Sequence, residues 1–240
     1  MTSQQTRAAG VTVITGAGRG IGRALALRLA SHGAAVVAAA RTRADIESLA
    51  GLAPQVTAMV ADVASAADVE ALAAAADAQG RLVAWVNNAA VVDPRPLTEL
   101  GVEAFDAVLA VNLRGAFLGC RAALPRLAAN GGGVILNIGS LSGLPFVEKF
   151  PGNLAYNVSK AGLHALSEAV ALEGRALGVR CLTLAPGAVD TAMLRRAAPG
   201  LRAGVTPAAV AEVAAFLLSE AAAPLSGTTL PMFTNLGTEG

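Results

Sequence analysis

Short, mainly apolar segments alternate with longer segments of helical periodicity along the whole chain. Apolar strands separated by helices are typical of a parallel sheet that is covered by helices on both faces. The pattern therefore predicts an α/β fold with a doubly wound parallel sheet in three layers. The seven predicted strands are residues 11–15, 35–40, 56–60, 82–87, 134–138, 180–185 and 228–233. The predicted helices are residues 21–31, 42–52, 66–79, 102–129, 154–177 and 207–218.

Capping residues mark two of the predicted helix starts. Ser65 with Asp68 begins one helix, and Thr206 precedes another whose first residue is Pro207. Pro231 interrupts the last predicted strand, which is tolerable if that strand lies at an edge of the sheet.

No linker or repeat divides the chain, so residues 1–240 are predicted to form a single domain. The loop at residues 193–205 is predicted to be a mobile lid, and residues 237–240 a frayed tail. The polar residues 1–7 lead directly to a strand and do not form a secretory signal.

Composition narrows the class of function. The net charge is +1 and the two signs are interspersed, which argues against a nucleic-acid-binding surface. Charged residues recur along the chain, so no transmembrane helix is expected and the protein is predicted to be cytoplasmic. The two cysteines, Cys120 and Cys181, are not expected to form a disulfide. Together with the two histidines, His32 and His164, they do not have the spacing of a metal site.

A glycine-rich turn follows the first predicted strand. Gly16, Gly20 and Gly22 lie between this strand and a helix, where the backbone can turn tightly and approach a diphosphate at the helix N-terminus. The GxGxxG spacing is not present, because Ile21 stands where its third glycine would be, whereas TGxxxGxG fits. The turn predicts a nucleotide site at the carboxyl edge of the sheet.

Tyr156 and Lys160 are four residues apart in a predicted helix, so their side chains share one face. A phenol with a reference pKa near 10 needs roughly 4 kcal/mol of preferential stabilisation of its anion to titrate near pH 7. A nearby cation supplies part of that energy. The chain has 16 Arg and only two Lys, and a compact ammonium approaches a hydroxyl in a way that a guanidinium cannot. The alternative interpretation is a surface lysine near a half-buried tyrosine.

Five motifs occur in a fixed order along the chain: the TGxxxGxG turn, Asn87-Asn88-Ala89, Asn112, Ser140, and Tyr156 with Lys160. As a set they resemble the short-chain dehydrogenase/reductase family, and the resemblance covers essentially the whole chain. The resemblance implies a Rossmann-type fold and hydride transfer between a nicotinamide cofactor and a ketone or secondary alcohol.

The resemblance also implies a catalytic role for four residues. Tyr156 donates or accepts the proton, and Lys160 binds the nicotinamide ribose and lowers the pKa of the tyrosine. Ser140 polarises the substrate oxygen, and Asn112 holds a water in the proton relay. Ser142 competes with Ser140 by spacing alone, but Ser140 better fits the end of a strand.

Cofactor preference is expected to depend on the end of the second strand. Ala40 stands where an acidic residue would bind the ribose of NAD, and Arg41 follows it. Arg41 and Arg19 suit a 2′-phosphate, so NADP(H) is predicted over NAD(H). The alternative interpretation is that Arg41, with Arg43 close by, is a solvated loop residue. The cofactor contacts implied by the resemblance are Gly16, Arg19, Gly20, Ile21, Gly22, Arg41, Asp62, Val63, Asn88, Ala89, Tyr156, Lys160, Pro186, Gly187, Val189 and Thr191.

The substrate region departs from the usual family pattern. The interval from Ser140 to Tyr156 is longer than the commonest family spacing, and the excess at residues 144–151 is expected to border an apolar substrate. Leu177 and Ala129 stand where some reductases of carrier-bound substrates have basic residues, which disfavours a carrier-bound substrate. The candidate substrate contacts are Val91, Val92, Pro94, Ser142, Leu144, Phe146, Phe150 and Met193.

The leading hypothesis is a ketoreductase or alcohol dehydrogenase that uses NADP(H) and a small-molecule substrate. The alternatives are an NAD-dependent alcohol dehydrogenase of the same family and a nucleotide-binding regulator without hydride transfer, which would be expected to lose the tyrosine or the lysine. Dehydratases and epimerases of related fold typically have longer chains with a separate substrate domain. The resemblance also implies a homotetramer or homodimer, formed through the long helices.

Overall fold

Seven parallel strands form one sheet in the order β3-β2-β1-β4-β5-β6-β7. The structure, a computed structural model, describes residues 10–233, so the expectations for residues 1–7 and 237–240 lie outside the described residues. The strands are β1 (Val11–Thr15), β2 (Ala35–Ala40), β3 (Val56–Val60), β4 (Leu82–Asn87), β5 (Gly133–Ile138), β6 (Val179–Pro186) and β7 (Thr229–Met232). The predicted fold class is confirmed, and the strand ends differ from the predicted ones by one residue at most.

Helices cover both faces of the sheet, as predicted. Thr206 and Ser65 each accept a hydrogen bond from the backbone three residues later, so both predicted caps are present. The helices are α1 (Gly20–Ala30), α2 (Arg43–Ala50), α3 (Ala66–Gln79), α4 (Val102–Leu109), α5 (Gly115–Ala129), α6 (Leu154–Gly174), α7 (Ala192–Ala197) and α8 (Pro207–Leu218).

The alternation of side chains along each strand produces two hydrophobic cores. Ile14 of β1 points into the core under α1, α2 and α8, and Val13 points into the core under α3, α5 and α6. Trp85 of β4 is fully buried in the second core. Because both faces are buried, the strands are apolar throughout, which is the pattern seen in the sequence.

The strand order reverses between β1 and β4. The chain first builds the sheet outward through β2 and β3, and then crosses to β4 on the other side of β1. Loops that leave the carboxyl ends of β1 and β4 therefore diverge to opposite faces and open a crevice, which is where sheets of this kind bind ligands. At the far edge, β7 pairs only with β6, so Pro231 lies on an edge strand as expected.

The long predicted helix at residues 102–129 is interrupted. A turn of π-helix at Ala110–Arg114 separates α4 from α5 and contains Asn112. One 18-residue window within Val102–Ala129 reaches a mean hydropathy of 1.4, so this segment is long and apolar enough to cross a membrane by length and composition alone, and half of the window is buried inside the fold. Within this segment Ala123 and Leu127 pack in the core, which accounts for its apolar character.

A buried polar network joins three adjacent strands, β4, β5 and β6, to α6. Asn87, Asn137 and Thr183 are direct neighbours across β4, β5 and β6. Asn87 Nδ2 donates to Asn137 Oδ1 at 2.8 Å, and Asn137 Nδ2 donates to Ser167 Oγ at 2.7 Å. Ser167 Oγ also accepts from Thr183 Oγ1 at 2.6 Å and donates to the carbonyl of Leu163 at 2.8 Å. These bonds fix the position of α6 on the sheet.

We expect Ser167→Ala to destabilise the fold, because it leaves two buried donors, on Asn137 and Thr183, without their acceptor. The expected loss in the free energy of unfolding is on the order of 2–4 kcal/mol, against about 1 kcal/mol for Thr183→Val, which removes one of those donors. The double variant should lose about 1 kcal/mol less than the sum of the single variants, as measured by urea denaturation. Strict additivity would show that the two hydroxyl groups are not coupled.

Candidate active site

A cleft of about 1000 Å³ lies at the carboxyl edge of the sheet, across the reversal between β1 and β4. Its walls come from the strand ends, from the starts of α1 and α6, and from α7. All the predicted cofactor residues except Gly22 line it. They are Gly16, Arg19, Gly20, Ile21, Arg41, Asp62, Val63, Asn88, Ala89, Tyr156, Lys160, Pro186, Gly187, Val189 and Thr191.

The glycine-rich turn between β1 and α1 excludes side chains at its glycine positions, by backbone conformation or by lack of space. Gly16 and Gly20 have φ of +65° and +58°, in the left-handed region that favours glycine. A Cβ on Gly16 would lie 2.7 Å from Ala89 Cα. Gly22 lies beneath the turn, where a Cβ would come within 2.5 Å of the Gly16 carbonyl oxygen. The structure therefore assigns Gly22 to the shape of the turn and not to the cleft wall.

Asn88 holds the glycine turn against β4. Its Nδ2 donates to the carbonyl oxygens of Thr15 at 2.9 Å and Gly16 at 3.0 Å. In return, Thr15 Oγ1 accepts from the Asn88 backbone N–H at 3.0 Å. These bonds set the width of the cleft where the two strands end.

The start of α1 is suited to an anion. The residue before it, Arg19, is extended and makes no side-chain cap, and the first turn contains no acidic residue. The N–H groups of this turn carry the positive end of the helix dipole. An uncapped helix start beside a turn that excludes side chains fits the diphosphate of a nicotinamide dinucleotide.

Two arginines border the cleft near the end of β2. Arg19 and Arg41 are exposed, and within residues 10–233 neither forms a salt bridge. Arg43 differs, since it pairs with Glu47 at 3.0 Å and does not line the cleft. The carboxylate residue Asp45 also lines this part of the cleft.

Ser140, Tyr156 and Lys160 meet beyond the end of β5. Lys160 Nζ donates to the carbonyl of Ile138 at 2.7 Å and lies 5.6 Å from the centroid of the Tyr156 ring. The Ser140 side chain lies near enough to Tyr156 to lower the pKa of the phenol. Ser140 Oγ accepts from the backbone N–H of Ser142 at 3.1 Å. Both serines line the cleft, and Ser140 is the one that affects the tyrosine.

Lys160 is a buried cation. It is 2 % exposed, and no carboxylate pairs with it in the part of the chain that the structure describes. Burial disfavours the charged ammonium and lowers the pKa of Lys160 to about 8. Its charge is therefore sensitive to what lies beside it near neutral pH.

Burial raises the pKa of Tyr156, and the nearby Ser140 side chain offsets part of this increase. The sequence suggested the opposite net direction, with Lys160 lowering the pKa of the phenol. The reason for the difference is that desolvation of the phenolate is the largest effect, while the Lys160 ammonium is bonded to the Ile138 carbonyl. In this structure the phenol is stabilised in its protonated form.

Asn112 lies beside the cleft, where its side chain is held by the chain itself. Its Oδ1 accepts from the Val91 N–H at 2.8 Å, and its Nδ2 donates to the Val91 carbonyl at 2.9 Å and to Ser159 Oγ at 3.0 Å. Both amide donors are thus used. A cavity of about 10 Å³ is bounded by Asn112 and Lys160, among others, and this is about the space that one water needs.

The predicted substrate contacts fall into two groups. Phe146 has φ of +59° and a fully exposed side chain, so its left-handed conformation turns the ring to solvent and away from the cleft. Leu144 and Pro94 do not line the cleft either, and the Leu144 carbonyl accepts a hydrogen bond from Lys149. The predicted contacts that do line it are Val91, Val92, Ser142, Phe150 and Met193.

The predicted lid at residues 193–205 lies over the cleft and contains most of α7. A bridge between Val189 and Val205 closes its base, and Thr191 Oγ1 caps α7 by accepting from the Leu194 N–H at 3.2 Å. Its mobility stays a prediction.

Sequence reasoning missed Asn153, which is 5 % exposed and lines the cleft three residues before Tyr156. An asparagine before a helix is an ordinary capping signal, yet this side chain makes no cap bond. Its Nδ2 instead donates to the Ala197 carbonyl at 3.1 Å, at the end of α7. No local pattern could indicate that contact.

Comparisons with known proteins agree with this geometry. A family model described as short chain dehydrogenase matches residues 10–201. The chain is similar to 2-(R)-hydroxypropyl-CoM dehydrogenase of Xanthobacter autotrophicus, with 41 % identity over 143 residues, 55 % of this chain and 56 % of that protein. The match thus spans about half the length of that relative. An uncharacterized oxidoreductase of Staphylococcus aureus is 31 % identical over 216 residues, 88 % of this chain and 91 % of that protein.

Solved structures are similar over nearly the full length. A 3-ketoacyl-(acyl-carrier-protein) reductase from Brucella melitensis, in complex with NADH, has a TM-score of 0.85 and 34 % identity, and covers 93 % of this chain and 96 % of its own. Levodione reductase has a TM-score of 0.86 and 30 % identity over the same shares. The chain belongs to the short-chain dehydrogenase/reductase family and is an NAD(P)-dependent oxidoreductase that acts on CH–OH or carbonyl groups.

Proposed function

We propose that the protein uses NADP(H) to interconvert a ketone and a secondary alcohol, with Tyr156 as the proton donor in reduction and the acceptor in oxidation. The observation that carries this proposal is Lys160, a buried ammonium with no carboxylate partner in residues 10–233, which lies 5.6 Å from the centroid of the Tyr156 ring. Burying an unpaired charge costs stability, and such groups cluster at functional sites.

A nicotinamide bound in the cleft supplies the hydride in reduction and accepts it in oxidation. The chain's own residues hold and orient it. The glycine turn and the start of α1 would receive the diphosphate, and Asp62 with Val63 would border the adenine. Lys160 would contact the ribose, and Pro186 to Thr191 would border the nicotinamide ring; all of these residues line the cleft.

Tyr156 donates the proton to the substrate oxygen in reduction. Its raised pKa keeps the phenol protonated at neutral pH, which is the form that this step needs. The Ser140 hydroxyl polarises the same oxygen. The proton is replaced through Lys160 and a water in the small cavity beside Asn112, a path that fits the position of that cavity. Positioned acid catalysis of this kind contributes about 10²- to 10⁴-fold in rate.

The preference for NADP(H) rests on charge. Arg41 and Arg19 offer two guanidinium groups without salt-bridge partners in the described residues, and a 2′-phosphate would pair with them. NAD(H) is the second candidate, because Asp45 lines the same part of the cleft and a carboxylate suits a ribose 2′-hydroxyl. The structural relative from Brucella melitensis is in complex with NADH. A regulator without hydride transfer is less well supported, since Tyr156 and Lys160 are both in place.

We propose that the substrate is a free small molecule. We also propose that the protein assembles as a homodimer or homotetramer. Exposed apolar side chains on α5 and α6, which include Phe117, Val158 and Leu172, support association through these helices. Ala129 and Leu177 are exposed and carry no charge that would attract a carrier protein.

Tyr156→Phe is expected to lower kcat by about 10²- to 10⁴-fold, because the phenyl ring cannot donate the proton. Binding of NADPH, followed by its fluorescence, should persist. Ser140→Ala should also lower kcat, and Ser142→Ala should lower it much less, since Ser140 is the serine near enough to Tyr156 to affect its pKa. A larger effect at Ser142 than at Ser140 would contradict the assignment. The assay is NADPH consumption with a panel of ketones, diketones and cyclic carbonyls.

Arg41→Asp is expected to weaken NADPH binding by about 10- to 100-fold, because charge-assisted bonds to the 2′-phosphate contribute about 1.5–3 kcal/mol. NADH binding should change little or improve. Arg43→Asp is the matched control, since it makes the same charge change two residues away at a side chain that pairs with Glu47 outside the cleft. Equal affinity of the wild type for NADH and NADPH, measured by titration calorimetry, would contradict the proposed preference for NADP(H).

The stability of the protein should depend on pH through Lys160. The pKa of Lys160 is about 8 in the folded state and 10.5 for a lysine in the unfolded chain, so between these pH values the unfolded chain binds more protons. The free energy of unfolding therefore gains a contribution as pH rises from 8 to 10.5, while below pH 8 the cost of burying the ammonium is fully present. Lys160→Met removes this gain of about 3 kcal/mol.

Urea denaturation of wild type and Lys160→Met at several pH values measures this difference. The free energy of unfolding of the variant, minus that of the wild type, should fall as pH rises from 8 to 10.5. The titration of Tyr156 cancels in this difference because both proteins contain that residue. Lys149→Met changes the other, exposed lysine and should show no such trend. A difference that does not vary with pH would mean that Lys160 titrates normally.

A further inference from the structure

Asn153 lines the cleft, and its side chain contains a buried acceptor without a partner. It directly precedes α6, lines the cleft wall, and is 5 % exposed. Within residues 10–233, four buried side-chain atoms have no hydrogen-bond partner, and Asn153 is the only residue of the four that lines the cleft. These atoms are Asn153 Oδ1, Asn157 Oδ1, His164 Nε2 and Thr229 Oγ1.

The orientation of the Asn153 amide is set by its other contact. Nδ2 donates to the Ala197 carbonyl at 3.1 Å, so the nitrogen must face α7 and the remaining atom is an oxygen that can only accept. An acceptor that is buried without a partner costs about 1–3 kcal/mol. A donor on a molecule in the cleft would remove that cost.

Asn153 lies close to the proposed proton donor. It is the residue that precedes α6, three residues before Tyr156 in the first turn of that helix. A substrate oxygen held at the Tyr156 hydroxyl therefore places atoms a few bonds away near Asn153 Oδ1. Both residues line the same cleft.

The charges that line the cleft are compatible with a neutral donor. Arg195 and Arg196 of α7 also line this cleft, next to the Ala197 carbonyl that Asn153 binds. Arg195 is paired with Asp190 at 2.6 Å, and Arg196 forms no salt bridge in the described part of the chain. Glu148 lines the cleft as well, so charges of both signs are present and a neutral hydroxyl is compatible with either.

We propose that Asn153 determines substrate specificity by accepting a hydrogen bond from a second oxygen function of the substrate, so that the preferred substrate is a hydroxy ketone and its product a diol. This inference rests on the proposed function. The ketone carbon gains the hydride and its oxygen gains the proton of Tyr156, while the second hydroxyl is unchanged and serves only for recognition. The same amide holds the end of α7, so one side chain contacts both the lid and the substrate.

Matched substrate pairs test this proposal. Each pair is a ketone with a hydroxyl on the α, β or γ carbon and the corresponding deoxy ketone, assayed with NADPH and with NADH. For at least one pair, kcat/KM of the wild type should be about tenfold higher for the hydroxy ketone, the value of one buried hydrogen bond. Asn153→Leu should reduce that ratio to about one, and Asn153→Asp, which keeps an acceptor, should retain it.

Ratios within a pair separate recognition from damage to the lid, because loss of the Ala197 contact affects both members of a pair. Asn157→Leu removes the other unpaired amide of α6, outside the cleft, and should leave the ratio as in the wild type. A wild-type ratio near one for every pair overturns the proposal, as does a ratio that survives in Asn153→Leu. Turnover that survives Tyr156→Phe, or its absence with every ketone, counts instead against the proposed function.

Discussion

The burial of the Lys160 ammonium against the carbonyl of Ile138 is the constraint on which the site depends. At 2.7 Å this contact fixes α6 relative to the carboxyl end of β5. Burial lowers the pKa of the lysine, since a single carbonyl replaces little of the lost hydration. Holding a cation one turn from Tyr156 therefore lowers the stability of the fold. This cation is a lysine in a chain whose other basic residues are almost all arginine.

The polar network below the site makes that placement possible. Asn137 and Thr183 both bond to Ser167, two turns after Lys160 on α6, and so anchor the helix to the strands from which Ser140 extends. Hydrogen bonds specify one register of helix on sheet, whereas an apolar contact would permit several. The tyrosine, the serine and the lysine are therefore positioned by buried groups that never reach the cleft.

The strands and helices could be predicted from local sequence patterns, because local interactions determine them. Buried parallel strands must be apolar on both faces, and the caps at Ser65 and Thr206 satisfy helix N–H groups, so both signals can be recognised without tertiary information. The π turn around Asn112 was not predicted, because an extra residue in a helical turn leaves the apolar pattern nearly unchanged. The orientation of Phe146 was also mispredicted, since it depends on one left-handed residue that no pattern marks.

The sequence alone determined the sheet, the glycine turn and the pairing of Tyr156 with Lys160, because these depend on spacing within single segments. Tertiary structure decided what the spacing could not: the net direction of the Tyr156 pKa, the position of Gly22 beneath the turn, and the contact of Asn153 with α7. Each of these depends on desolvation or on neighbours distant in the chain. Such effects arise only when separate elements pack together.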